Sequence, residues 1–185
     1  MKVVDTALPG VRLIEPEFHG DLRGGFMETY HAARYPEAGI ACRFVQDNVS
    51  YSSRGVIRGL HLQHPYGQEK LVQVLLGEVF DVAVDVRIGS PTFGRWVGEI
   101  LSDVNKRQLF VPKGFAHGFC TLSERSAFQY KCSDRYAPEA EITLQWNDPA
   151  IGVAWPVDTP ILSAKDQKGL PLAAIPRDRL PVYEA

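Results

Sequence analysis

With 185 residues, of which 45% are hydrophobic and 23% charged, the chain has the balance of an ordinary water-soluble protein with enough apolar side chains for a sizeable core. A formal net charge of -2 excludes an overall basic field, so no nucleic-acid partner is expected, although one or two arginines can still hold a phosphate locally. No apolar run approaches the roughly 20 residues of a membrane helix, and Met1-Lys2-Val3-Val4-Asp5-Thr6 lacks the apolar core of a secretory leader, so the reading is no membrane and a cytoplasmic location.

Short apolar or alternating runs then recur between Gly, Pro, Asn and Asp punctuation. In chain order they are Val11 to Ile14, Phe44 to Val49, Val56 to His61, Leu71 to Leu76, Val79 to Val86, Trp96 to Leu101, Leu109 to Val111, Phe119 to Leu122 and Ser126 to Tyr130. Such spacing predicts an all-β sandwich or barrel. Val82, Val84 and Val86 alternate with Asp81, Asp85 and Arg87, which predicts a half-buried strand with its charges on the solvated face. Leu76-Gly77-Glu78 lies between two runs and predicts a tight hairpin turn in which Gly77 takes positive φ.

Helix is confined to single turns at Ala32 to Tyr35, Asp103 to Arg107 and Lys165 to Lys168. Prolines crowd from Pro149 to Pro181, so this stretch is expected to wrap the barrel as an irregular tail. One domain over 1-185 is expected, with arms at about 1-30 and 150-185. Cys42, Cys120 and Cys132 are odd in number and lack C-x2-C spacing, so they read as small apolar residues.

Two stretches carry chemistry. Gly55-Val56-Ile57-Arg58-Gly59-Leu60-His61 and Pro112-Lys113-Gly114-Phe115-Ala116-His117 resemble the two halves of a cupin barrel site, whose metal-binding form reads G-x5-H-x-H with a nearby carboxylate, then P-x-G-x2-H. Gln63 stands where the second histidine would be, and Glu69, displaced from the carboxylate position, is followed by the cation Lys70. A divalent ion needs several deprotonated ligands, and an ammonium group among them repels it. A histidine and a lysine in one pocket suit proton abstraction beside a carbonyl, so neither metal nor cofactor is expected.

Further motifs follow in order: Asp21-Leu22-Arg23-Gly24-Gly25-Phe26-Met27-Glu28, Gln46-Asp47-Asn48, Arg58-Gly59-Leu60-His61, Lys70-Leu71-Val72, Gly89-Ser90-Pro91-Thr92-Phe93-Gly94, Pro112 to Phe119 and Tyr130-Lys131-Cys132. From about Val4 to about Gln167 the chain resembles the dTDP-4-dehydrorhamnose 3,5-epimerase family. The resemblance implies an all-β, cupin-type double-stranded β-helix (jelly-roll) barrel with an N-terminal arm. It implies a cofactor-free isomerase inverting C3 and C5 of a dTDP-4-keto-6-deoxyhexose, and a homodimer with N-terminal strand exchange.

By the same resemblance His61 is the base, Asp166 orients it, Lys70 meets the enolate oxygen and Tyr130 is the acid on the far face. Substrate-binding residues implied are Arg23, Phe26, Glu28, Gln46, Asn48, Arg58, His117, Tyr136, Glu141 and Lys165. Arg23 and Arg58 suit a diphosphate because guanidinium donates bidentately, and Tyr136 suits stacking on the base. Taken alone, Tyr130 reads as a core aromatic, while for Lys70 an outward charge on the solvated face stays open as the usual alternative, which alternation does not exclude. Three other readings stay open: a mono-epimerase acting at C3 or C5 only, a metal cupin using His61, Glu69 and His117, and a cupin that binds sugar nucleotide without catalysis.

Overall fold

The computed structural model describes residues 1–184, which pair into two facing antiparallel sheets and one separate hairpin. The six-stranded sheet runs in the order β1 (Lys2–Asp5), β2 (Arg12–Glu15), β10 (Gln108–Val111), β7 (Lys70–Leu76), β12 (Arg125–Cys132), β5 (Gln46–Ser53). The five-stranded sheet runs β13 (Glu141–Thr143), β6 (Ile57–Gln63), β11 (Phe115–Thr121), β8 (Glu78–Asp85), β9 (Trp96–Ser102). Strands β3 (Phe18–Asp21) and β4 (Gly24–Met27) pair only with each other. The all-β expectation therefore holds, and each run named from the sequence contributes to a strand.

Alternation explains the core. Val72 and Val74 of β7, Val79 and Ala83 of β8, Phe119 of β11 and Phe128 of β12 meet between the sheets. Phe119 and Phe128 stack with ring centroids 4.1 Å apart. A buried phenylalanine of this kind contributes about 3–5 kcal/mol against truncation to alanine.

Two local expectations fail, both because tertiary structure covers what sequence left open. The strand predicted to be half-buried is buried on both faces, with Asp81 and Asp85 fully enclosed. Its even face, Val82, Val84 and Val86, packs under Leu172, Ile175 and Leu180, so the proline-rich tail does wrap the barrel and supplies the second cover. Asp85 is satisfied by Arg87 Nη2 at 2.7 Å and by the Ser90 and Thr92 hydroxyls, each at 2.6 Å. Gly77 does take positive φ, at 82°, but β7 and β8 lie in different sheets. The chain turns a corner there rather than a hairpin, and a Cβ would stand 2.1 Å from the Arg125 carbonyl oxygen.

Of the four N-terminal strands only β2 is legible: Lys2–Asp5 holds only two apolar residues, and neither strand of the β3–β4 hairpin alternates. Helix is as scarce as expected, with α1 at Arg34–Glu37 and a 3-10 turn at Asp166–Lys168, while Asp103 to Arg107 forms a turn closed by Asn105. One crossing fixes the site. At Gly59 a Cβ would meet Gly118 Cα at 2.6 Å, so only paired glycines let β6 and β11 approach this closely, with His61 and His117 side by side in register.

Candidate active site

A cavity of about 600 Å³ opens between the sheets, within the usual range for small-molecule sites. The five-stranded sheet supplies His61 from β6 and His117 from β11. The facing wall supplies Lys70 from β7, Tyr130 and Cys132 from β12, and Gln46, Asn48 and Ser50 from β5. Tyr136, Glu141, Ser163, Lys165 and Asp166 complete the lining from segments beyond the two walls.

His61 Nε2 lies 2.5 Å from Asp166 Oδ1. Ser163 Oγ donates to the other carboxylate oxygen at 2.8 Å and accepts the Asp166 backbone N–H at 3.1 Å. Burial alone would raise the Asp166 pKa, but the hydrogen bonds from His61 and Ser163 outweigh it and hold the carboxyl below its ordinary range. An ionised carboxylate only accepts, so the His61 N–H facing it sits on Nε2, and in the neutral ring the lone pair is then on Nδ1. That is the arrangement of an oriented general base.

Lys70 shares strand parity with the core residues Val72 and Val74, so the inward orientation holds. Among the described residues no carboxylate lies within ion-pair distance of its ammonium group. Burial lowers its pKa, while Cys132, Asp81 and Glu141 pull it back up. An unpaired, partly buried cation is costly until an anion arrives, which suits a group waiting for charge to develop on an oxygen.

Beneath it, His117 Nε2 stands 3.0 Å from both oxygens of the fully buried Asp81. Burial pushes the Asp81 carboxyl up, against the downward pull of His117. Tyr130 faces the same space from β12, and its hydroxyl has no hydrogen-bond partner among the described residues. Burial raises the phenol pKa, Cys132 adds to this and Arg58 opposes it, so the hydroxyl keeps its proton and can give it.

The remaining lining is already organised. Gln46 Nε2 donates to Asn48 Oδ1 at 3.0 Å, and Asn48 Nδ2 reaches the Cys132 sulfur at 3.8 Å. Arg58 donates from Nε to Ser52 Oγ and from Nη2 to the Tyr51 carbonyl, both at 3.0 Å. Glu141 accepts from Tyr136 Oη at 3.0 Å and from Lys165 Nζ at 2.8 Å.

The chain does not bring Arg23, Phe26 and Glu28 into its own cavity. Arg23 Nη2 pairs with Asp21 at 2.5 Å, Phe26 is 70% exposed at the hairpin, and Glu28 pairs with Arg34. The triad His61, Glu69 and His117 is not assembled either. Glu69 lies outside the lining beside Cys42, and among the described residues no group of three or more His, Cys, Asp or Glu is placed to hold a metal.

Sequence reasoning passed over Ser50, whose hydroxyl is, among the described residues, the one fully buried side-chain polar atom without a hydrogen-bond partner. The signal was available, since positions 46, 48 and 50 share one face of β5. Asp81 and Ser163 were also passed over. Their roles depend on burial and contact that the primary sequence does not display.

Acid and base groups on facing walls of a β barrel are the equipment of a cupin-type isomerase, one that moves protons and leaves the oxidation state of its substrate unchanged. The family model for dTDP-4-dehydrorhamnose 3,5-epimerase matches residues 5–174, and the chain belongs to that family. A dTDP-4-dehydrorhamnose 3,5-epimerase of Neisseria gonorrhoeae is 55% identical over 91% of this chain, which spans about half, 52%, of that relative's length. A solved dTDP-6-deoxy-D-glucose-3,5-epimerase of Legionella pneumophila, in complex with dTDP-4-keto-L-rhamnose, superposes with a TM-score of 0.97 at 52% identity, covering 100% of this chain and 99% of that one. A dTDP-4-dehydrorhamnose 3-epimerase of Streptomyces niveus is 43% identical over 99% of this chain and 90% of its own length.

Proposed function

We propose that the chain epimerises dTDP-4-dehydro-6-deoxy-D-glucose at C3 and C5, giving dTDP-4-dehydro-L-rhamnose for dTDP-L-rhamnose synthesis. The observation that carries this reading is the His61–Asp166 pair on one wall facing Lys70 and Tyr130 on the other. Hydrogens at C3 and C5 flank the C4 ketone. His61 takes one of them as a proton, and the C–H electron pair moves through the C–C bond onto the C4 oxygen. The Lys70 ammonium stabilises that enolate oxygen, and Tyr130 returns a proton to the same carbon from the opposite face. Once solvent has taken the proton from His61 and returned one to Tyr130, the same steps at the second carbon complete the double inversion. The substrate gains and loses only protons and no electrons, so the scheme calls on no cofactor.

The nucleotide half falls to Arg58, Gln46, Asn48, His117, Tyr136, Glu141 and Lys165, all of which line the cavity. Arg23, Phe26 and Glu28 act on the cavity of a second copy of the chain. This homodimer reading is supported by the β3–β4 hairpin, which packs into neither main sheet, and by β5, an edge strand exposing Val49 and Tyr51. Because β1 and β2 pair within their own sheet, the exchanged element is the hairpin. Three free cysteines suit a reducing, cytoplasmic setting.

The test is incubation of metal-stripped protein with dTDP-4-keto-6-deoxy-D-glucose in deuterated water, reading deuterium at C3 and C5 by NMR. Label at both carbons is expected. Label at one carbon would make the chain a mono-epimerase, and label at neither would overturn the reading.

A further inference from the structure

Gln63 occupies the position of the second metal-binding histidine in the cupin pattern, and the structure gives it other work. It is 6% exposed, and every polar atom of its amide is engaged. Nε2 donates to the Tyr66 carbonyl at 2.9 Å and to the Arg135 carbonyl at 3.2 Å, and Oε1 accepts the Ala137 N–H at 2.9 Å. Two of these contacts bracket Tyr136, whose own N–H donates to Gln46 Oε1 at 3.1 Å.

Further bonds join the same two loops. Gln68 Nε2 donates to the Asp134 carbonyl at 2.8 Å, the Glu69 N–H donates to Ser133 Oγ at 2.8 Å, and the Ser133 N–H donates to the Glu69 carbonyl at 3.0 Å. The loop leaving β6 and the loop leaving β12 come from opposite sheets, so these bonds clamp the cavity mouth shut against spreading.

We infer that Gln63 is a positioning residue that fixes Tyr136, and with it the binding edge that Tyr136 forms with Glu141 and Lys165. The chemistry selects the residue. The clamp needs two donors and one acceptor on one short planar group. A neutral imidazole offers one of each, and a carboxylate would face two carbonyl oxygens with no proton to give. Histidine or a carboxylate at this position would therefore leave at least one of the three contacts unmade. The inference rests on the sugar-nucleotide reading above.

Its test compares Gln63→Leu, Gln63→Glu and Tyr136→Ala, alone and with each Gln63 variant combined with Tyr136→Ala, by steady-state kinetics and by calorimetric titration with dTDP. Gln63→Leu is expected to raise KM and the dTDP Kd about tenfold, the size expected when a buried amide's contacts are lost, with kcat within about twofold of wild type. In the Tyr136→Ala background the same change should add less than about twofold, because the residue acts through the tyrosine. Gln63→Glu serves if Gln63→Leu fails to fold, with the same expectation. Independent, multiplying effects of the two sites, or a fall in kcat at unchanged KM, would overturn the inference. Failure of the wild-type protein to turn over the dTDP sugar would instead overturn the functional reading beneath it.

Discussion

The two walls of the barrel and the β3–β4 hairpin hold motif residues in opposite ways. His61, Lys70, His117 and Tyr130 sit on strands whose parity and packing aim them into one cavity, and two of them are braced by buried carboxylates. Arg23, Phe26 and Glu28 ride on or beside a hairpin paired with neither sheet, where the two charges are met by neighbours in their own segment. Proton transfer demands orientation to fractions of an ångström, which a packed strand provides. Phosphate contacts tolerate a donor with a long, flexible side chain, so they can be delegated to an arm.

This contrast sets the expected size of each lesion. The largest effect belongs to His61→Ala, which should cut kcat by about a hundred- to ten-thousand-fold with little change in dTDP affinity. Lys70→Met should cost about a hundred- to a thousandfold in kcat, the range seen on losing one group that stabilises an oxyanion.

Lys70→Met should also melt about 2–4 °C higher than wild type at neutral pH, the shift that about 1 kcal/mol gives a chain of this size. The sign follows from linkage. Burial holds the lysine below its ordinary 10.5, so the folded chain releases that proton before the unfolded chain does. The penalty is full below the lowered pKa and fades as pH climbs to 10.5, so the melting advantage should narrow over the same interval. A wild-type protein more stable than Lys70→Met at neutral pH would mean that the ammonium already has a partner.

Arg23→Ala should act on KM by about ten- to a hundredfold, leave kcat nearly intact, and lose that effect in any monomeric variant if, as in the homodimer proposed above, its target is the cavity of a second copy. Sedimentation of wild type as a fully active monomer would break this half of the comparison. Ser50→Ala is the mildest change. KM should rise about two- to tenfold while the unliganded protein becomes slightly more stable, because an orphaned buried hydroxyl has been removed.

The contrast also separates what the sequence makes legible from what it hides. The strands that build the walls announce themselves through period-two alternation, and the glycines at 59 and 118 mark a crossing that only glycine allows. Gly77 discloses its φ but not its partner strands, because the same residue serves a hairpin and a corner between sheets. Asp81 and Asp85 look like surface charges until the tail and the opposite sheet close over them, an event determined far along the chain. Of the cavity's lining, the residues within recognisable motifs are legible in the sequence. Ser50, Asp81, Ser163 and the clamp at Gln63 are not, since their meaning lies in partners distant in sequence.

The most direct test of the facing-walls account is position-resolved deuterium incorporation by wild type, His61→Ala and Tyr130→Phe, with the dTDP-4-keto-6-deoxyhexose in deuterated water. The account predicts label at C3 and C5 with inversion for wild type and no label for His61→Ala. For Tyr130→Phe it predicts label without inversion, because the base on the β6 wall still removes and returns the proton from its own side. Undiminished labelling by His61→Ala, or full inversion by Tyr130→Phe, would contradict it.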